Sequence, residues 1–159
     1  MRIHEDLIVF SPAPMGHVSL LGDRRMVYFP QGVRATNKIE RRKTSKFGSI
    51  TGDRPSHTKE YLRLSTNYPK SVLEFASVPS PLHPTQKPVP LLSYLIRTYT
   101  NKGDTVLDFC MGSGSTLVAC IEEERNGIGI ERDAGYFEIA KKRIEQEQTK
   151  PRTMRMELA

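Results

Sequence analysis

One stretch constrains the fold more than any other: Thr105-Val-Leu-Asp-Phe109, then Cys110-Met-Gly-Ser-Gly-Ser-Thr116, then Leu117, Val118, Cys120 and Ile121 at helical spacing. A short apolar run ahead of a glycine-rich turn reads as a buried parallel strand, and across Gly112-Ser113-Gly114 the period switches from strand to helix. Strand, tight turn and helix in that order bring backbone N–H groups and a helix N-terminus to the carboxyl edge of a sheet. Ligands bind at that edge in open α/β folds. Two glycines let a ligand approach the backbone without side-chain clash, and Ser115 and Thr116 supply hydroxyls at the helix start.

The flanking sequence extends the pattern. A helix is expected to begin near Pro88 to Pro90, where proline is tolerated in a first turn, and to run through Leu91, Leu92, Leu95, Ile96 and Tyr99 until Asn101-Lys-Gly-Asp104 stops it. The glycine turn feeds a helix over Thr116–Glu124, followed by a strand over Asn126–Ile130 and a helix from about Ala134 to Glu147 with Phe137, Ala140 and Ile144 on one face. Ser71–Phe75 reads as a short extended run, 79–90 as too proline-rich for regular structure, and His4–Phe10 as a further strand. The fold class is therefore α/β, with half of a doubly wound sheet. The chain divides into 1–14 as one strand of the core, 15–70, the α/β region 71–148, and a frayed tail over 149–159.

Spacing in the glycine turn discriminates between ligands. A dinucleotide fingerprint wants a third Gly or Ala three residues after the second, and Leu117 stands there. No Gly-Lys-Ser or Gly-Lys-Thr follows, which excludes a P-loop. The acidic residue that would hold ribose hydroxyls should end the next strand, and Glu131 occupies that place, 23 residues after Asp108. The pairing suits an adenosyl ligand without a phosphate. The plainer alternative is a helix start that needs glycine only for packing, with Glu131 as a solvated strand end.

Charge is distributed unevenly. Residues 15–70 hold twelve basic and four acidic side chains, a local +8, whereas 71–148 come to −3 and the whole chain to +6. The basic stretch is rich in Gly, Ser, Thr, Asn and Pro and lacks a sustained helical period, so irregular structure with short strands, or partial disorder, is expected. Tyr28, Phe29, Phe47, Tyr61 and Tyr68 are interleaved with the cations and suit stacking on bases. A solvated loop region whose aromatics form a small local core is the alternative. No apolar run approaches the roughly 18 residues a membrane helix needs. Cys110 and Cys120, the only cysteines, form neither a disulfide framework nor metal-ligand spacing, so no metal and a reduced, cytoplasmic setting are expected.

Three motifs occur in a fixed order: His83-Pro-Thr-Gln-Lys-Pro88, Asp108-Phe-Cys-Met-Gly-Ser-Gly-Ser-Thr116 and Gly129-Ile-Glu131. In that order they resemble bacterial and phage DNA amino-methyltransferases, in the class whose S-adenosylmethionine motifs follow the target-recognition region. The resemblance implies a partial Rossmann-like methyltransferase sheet with a basic, irregular target-recognition insertion. It implies that Asp108, Phe109, Cys110, Gly112, Ser113, Gly114 and Ser115 line the methionine and adenosyl pocket, with Thr85 and Lys87 near the carboxylate end and Glu131 on the ribose. The basic stretch then corresponds to the part that meets double-stranded DNA, with Arg34, Lys38, Arg41, Arg42, Lys43 and Lys46 as candidate contacts.

Members of this family methylate an exocyclic amino group of a flipped adenine or cytosine and carry an Asp, Asn or Ser followed by Pro-Pro and an aromatic. The sequence contains no Pro-Pro pair and so no catalytic residue of that kind. The expectation is a C-terminal portion, inactive alone, whose tetrapeptide comes from a second chain or has been lost by truncation or degeneration. A non-catalytic DNA-binding module that keeps a cofactor pocket is the alternative, and a protein or RNA methyltransferase a weaker third.

Overall fold

The computed structural model describes residues 5–10, 26–41 and 60–151. In chain order the elements are β1 (Arg34–Arg41), β2 (Glu60–Thr66), α1 (Val89–Tyr99), β3 (Thr105–Asp108), α2 (Ser115–Glu122), β4 (Asn126–Gly129) and α3 (Ala134–Thr149). They fall into two compact units, one of residues 30–73 and one of residues 1–29 with 74–159.

In the smaller unit β1 and β2 pair antiparallel, from Arg34 opposite Thr66 to Arg41 opposite Glu60, with a register irregularity between Ala35 and Lys38. Among the described residues of the basic stretch, β1 and β2 are the short strands expected there. Across the ladder Arg63 meets Glu40 at 3.0 Å. Asn67, at φ 58°, donates to the Gly32 carbonyl at 2.7 Å and closes the open end of the pair.

In the larger unit β3 and β4 run parallel, Thr105 opposite Asn126 and Asp108 opposite Gly129, so a crossover is required, and α2 supplies it. This is the partial Rossmann-like α/β arrangement anticipated. Leu117 and Cys120 of α2 lie directly on β4: a Cβ at Gly127 would come within 2.6 Å of Leu117 Cδ2. Glycine in β4 therefore sets how closely helix and strand approach. Ile96, Ala119 and Cys120, with Val89, Leu92 and Val106 against them, pack α1 and α2 together, while Met111, Leu117, Ala140 and Ile144 join α2 to α3. Arg125, with Nε and a terminal nitrogen on the Thr100 hydroxyl and carbonyl at 3.0 and 2.9 Å, fastens the end of α2 to the end of α1.

The boundaries differ from expectation for local reasons. Helix α2 begins at Ser115 because Gly114 takes the left-handed N-cap conformation, and Glu124 at φ 60° ends its last turn. Asp133 caps α3 by accepting the Tyr136 N–H at 2.9 Å. Two expected strands are corrected. Residues 5–10 form no strand, and Leu7, Ile8, Val9 and Phe10 are all about half exposed or more; His4 lies outside the described residues. Ser71–Phe75 is likewise not a strand. Both have strand-like composition, but a strand needs a ladder partner, and none pairs with them among the described residues.

The face of the β3–β4 pair away from α2 carries Leu107, Phe109, Ile128 and Ile130, each more than half exposed. Among the described residues no helix is long and apolar enough to cross a membrane.

Candidate functional site

Strand β3 ends in Asp108, whose carboxylate organises the turn beyond it. Oδ1 accepts the Cys110 N–H at 3.0 Å and Oδ2 accepts the Thr116 hydroxyl at 2.6 Å. Both ends of the turn are thereby tied to one side chain. Met111 N–H donates to the Ile130 carbonyl at 3.0 Å, which extends the sheet pairing into the turn, and Gly114 N–H closes it on the Met111 carbonyl at 2.8 Å. Gly114 has φ +77°, and a Cβ there would stand 2.9 Å from the Ala140 Cβ and 3.2 Å from its Cα. Only glycine lets the turn pass so close to α3.

Glu131 faces the turn from the end of β4. Its Oε2 accepts the Gly112 N–H and its Oε1 the Asp133 N–H, each at 2.9 Å. The Asp133 N–H first, and the Gly112 and Arg132 N–H groups after it, hold the carboxyl below its ordinary value. A depressed carboxyl contributes stability that is present above the ordinary value and lost as pH falls through the lower folded one. Carbon NMR of the Glu131 carboxyl is therefore expected to show a titration midpoint below 4.5, the ordinary value. A midpoint at or above it would mean the two N–H contacts do not hold in solution.

The His83–Pro88 segment lies opposite the turn. Thr85 donates its N–H to His83 Nδ1 at 3.2 Å and places its hydroxyl at the same distance, while Gln86 Oε1 accepts the Leu82 N–H at 2.8 Å. The His83 ring stands edge-on to Tyr136, centroids 4.3 Å apart. Lys87 Nζ pairs with Glu5 at 2.6 Å, both side chains about half exposed, a pair solvent largely screens.

Between the turn and this segment is a cavity of about 160 Å³. Of the residues singled out from sequence, Thr85, Lys87, Asp108 and Cys110 line it, together with Gly112, Ser113 and Ser115. Three do not. Gly114 packs on Ala140, Glu131 holds the Gly112 N–H without lining the cavity, and Phe109 is 74% exposed on the open sheet face. His83, Gln86, Leu92, Met111 and Thr116 complete the wall. Cys110 is exposed, whereas burial pushes the Cys120 thiol up to about 11.

Arg143 of α3 was not legible as part of this site. One of its terminal nitrogens donates to the Ser113 carbonyl at 2.5 Å and lies 3.0 and 3.2 Å from the Ser113 and Ser115 hydroxyls. Its place in a helix rich in charge gave no signal beyond falling three residues after the packed Ala140. Of the candidate DNA contacts, Arg34 and Lys38 are exposed on β1 and Arg41 ends that strand, while Arg42, Lys43 and Lys46 lie outside the described residues.

A DNA methylase family model of the N6/N4 amino type matches residues 30–142. The type II methyltransferase M.HpaI of Haemophilus parainfluenzae is 34% identical over 144 residues, 91% of this chain and 39% of that protein. M.BglI of Bacillus subtilis is 48% identical over 63 residues, 40% of this chain and 18% of that one. Among solved structures, a complex of M1.HpyAVI with SAM is 45% identical, covering 49% of this chain and 42% of that one with a TM-score of 0.42. The chain spans about two-fifths or less of the length of these relatives.

Proposed function

The chain belongs to the family of DNA methylases that act on adenine N6 or cytosine N4, and from that premise we propose that it binds S-adenosylmethionine at the Asp108–Ser115 turn and double-stranded DNA through its basic unit. The observation that carries this reading is convergence: residues 83–87 and 108–116, apart in sequence, meet around one polar cavity. At about 160 Å³ it is smaller than the roughly 300–1,000 Å³ of sites that enclose a drug-sized ligand. It fits an amino-acid end, with the remainder of the cofactor on the open side of the turn toward Glu131. Lysine, threonine and serine donors suit a carboxylate there. Each Glu131 oxygen keeps a lone pair beyond its backbone N–H, which suits ribose hydroxyls. Bound there, the cofactor supplies an electrophilic methyl group on a sulfonium.

The residues of this chain hold and orient that group; they include no Pro-Pro-aromatic tetrapeptide to receive a flipped base. We assign them the cofactor-binding and DNA-contacting share of the reaction. The tetrapeptide then comes from polypeptide outside these residues, and methyl transfer by them alone is not expected. The rival reading is a DNA-binding module that holds the cofactor as a structural ligand.

Calorimetry of the folded chain with S-adenosylmethionine, with and without duplex DNA, tests the assignment. Micromolar binding is expected, with DNA affinity falling steeply in salt. If all six candidate cations meet phosphates, the log–log slope should be about −5. Absence of cofactor binding would overturn the pocket, and a salt-independent DNA affinity would overturn the phosphate contacts. Methyl transfer restored by adding a polypeptide that bears the tetrapeptide would exclude the purely structural role.

A further inference from the structure

We propose that Arg143 is a positioning residue that turns the Ser113 and Ser115 hydroxyls into hydrogen-bond donors aimed at an anionic group in the cavity. This rests on the cofactor reading above and assigns the cavity to the α-carboxylate end of the ligand.

A guanidinium has five N–H donors and no acceptor, so a hydroxyl in contact with it must accept. The Arg143 nitrogen that lies 3.0 Å from Ser113 Oγ and 3.2 Å from Ser115 Oγ therefore leaves both oxygens as acceptors on that side, sharing the N–H that the Ser113 carbonyl does not take. Each hydroxyl is left with one proton to donate elsewhere. Among the described residues neither has an acceptor of its own, although Ser113 and Ser115 are only 2% and 6% exposed. Both line the cavity. Two buried hydroxyls whose free protons have no acceptor among the described residues, polarised from behind by a cation, call for an acceptor in the space they border. A carboxylate meets that need better than a hydroxyl or an ammonium, because it accepts only and carries the opposite charge.

The same nitrogen also donates to the Ser113 carbonyl at 2.5 Å, so Arg143 braces the turn backbone as well. The two roles separate by ligand. Bracing serves any ligand of the turn, whereas donor polarisation serves only one that presents a carboxylate. The test is calorimetry of the full 159-residue chain, wild type and Arg143→Gln, with S-adenosylmethionine and with its decarboxylated analogue. Arg143→Gln is expected to weaken S-adenosylmethionine by about tenfold or more, as for loss of charge-supported hydrogen bonding, and to weaken the decarboxylated analogue clearly less, by the loss of bracing alone. Arg143→Lys should recover part of the loss. In a Ser113→Ala, Ser115→Ala background Arg143→Gln should cost only the bracing share, equally for both ligands.

Equal losses for both ligands, or no loss for either, would overturn the assignment while leaving the cofactor reading intact. Failure of the folded wild-type chain to bind S-adenosylmethionine would overturn that reading and this one with it. Where Arg143→Gln does not fold, Arg143→Lys and the double serine variant are judged by the same difference between ligands.

Discussion

Gly114→Ala is expected to destabilise the chain by about 2–5 kcal/mol and to abolish cofactor binding. Two costs combine. A side chain at φ +77° enters the left-handed region, at about 1–2 kcal/mol. The added methyl must also stand 2.9 Å from the Ala140 Cβ and 3.2 Å from its Cα, so backbone as well as side chain has to move. Such overpacking typically costs about 1–3 kcal/mol. Gly103 isolates the first cost, because its φ is +84° and nothing lies within 4 Å of a Cβ built there. Gly103→Ala should lose only about 1–2 kcal/mol and keep binding. Urea unfolding of both variants, followed by calorimetry below the transition, measures the difference. Equal destabilisation would show that Gly114 is not pinned against α3.

The contrast between these two glycines marks what the sequence could reveal. The strand, turn and helix were legible because their information is local: apolar periodicity, two glycines and a proline-started helix each act within a few residues. That Gly114 rather than Gly103 meets a second helix was not, since the contact depends on Ala140, 26 residues on. Arg143 is hidden in the same way, 30 residues from Ser113. The Glu5–Lys87 pair joins side chains 82 residues apart. Phe109 is a different case. Alternation carried one residue past β3 puts Leu107 and Phe109 on the face opposite Val106 and Asp108; both are exposed and neither lines the cavity. The family motif assigns Phe109 to the cofactor, and its exposed ring is open to the part of a ligand that lies outside the cavity. Leu7–Phe10 shows the reverse, because a short apolar run describes a strand only when a partner completes the ladder, and none does among the described residues.

Asp108 is where local structure and ligand binding cannot be separated, and its variants should show a graded loss. Asp108→Ala removes the acceptor of both the Cys110 N–H and the Thr116 hydroxyl. Hydrogen bonds to a charged group contribute about 1.5–3 kcal/mol each. Asp108 is half-buried, and water partly replaces what is lost, so a destabilisation of about 2–4 kcal/mol is expected. Asp108→Asn retains one carbonyl oxygen, which can serve the Thr116 hydroxyl or the Cys110 N–H but leaves the amide NH₂ facing the other donor. Its expected cost is about half that of alanine. Thr116→Val removes the hydroxyl bond alone and should therefore add little to Asp108→Ala when the two are combined. Cofactor affinity should fall in the same order, alanine below asparagine below wild type, because the carboxylate that closes the turn also lines the cavity. Thr116→Val tests the coupling from the far side: it should weaken binding less than Asp108→Asn, since it leaves the Cys110 N–H bond in place. If Asp108→Ala lowered stability without touching affinity, the turn would be a folding device alone and the ligand would have to sit elsewhere.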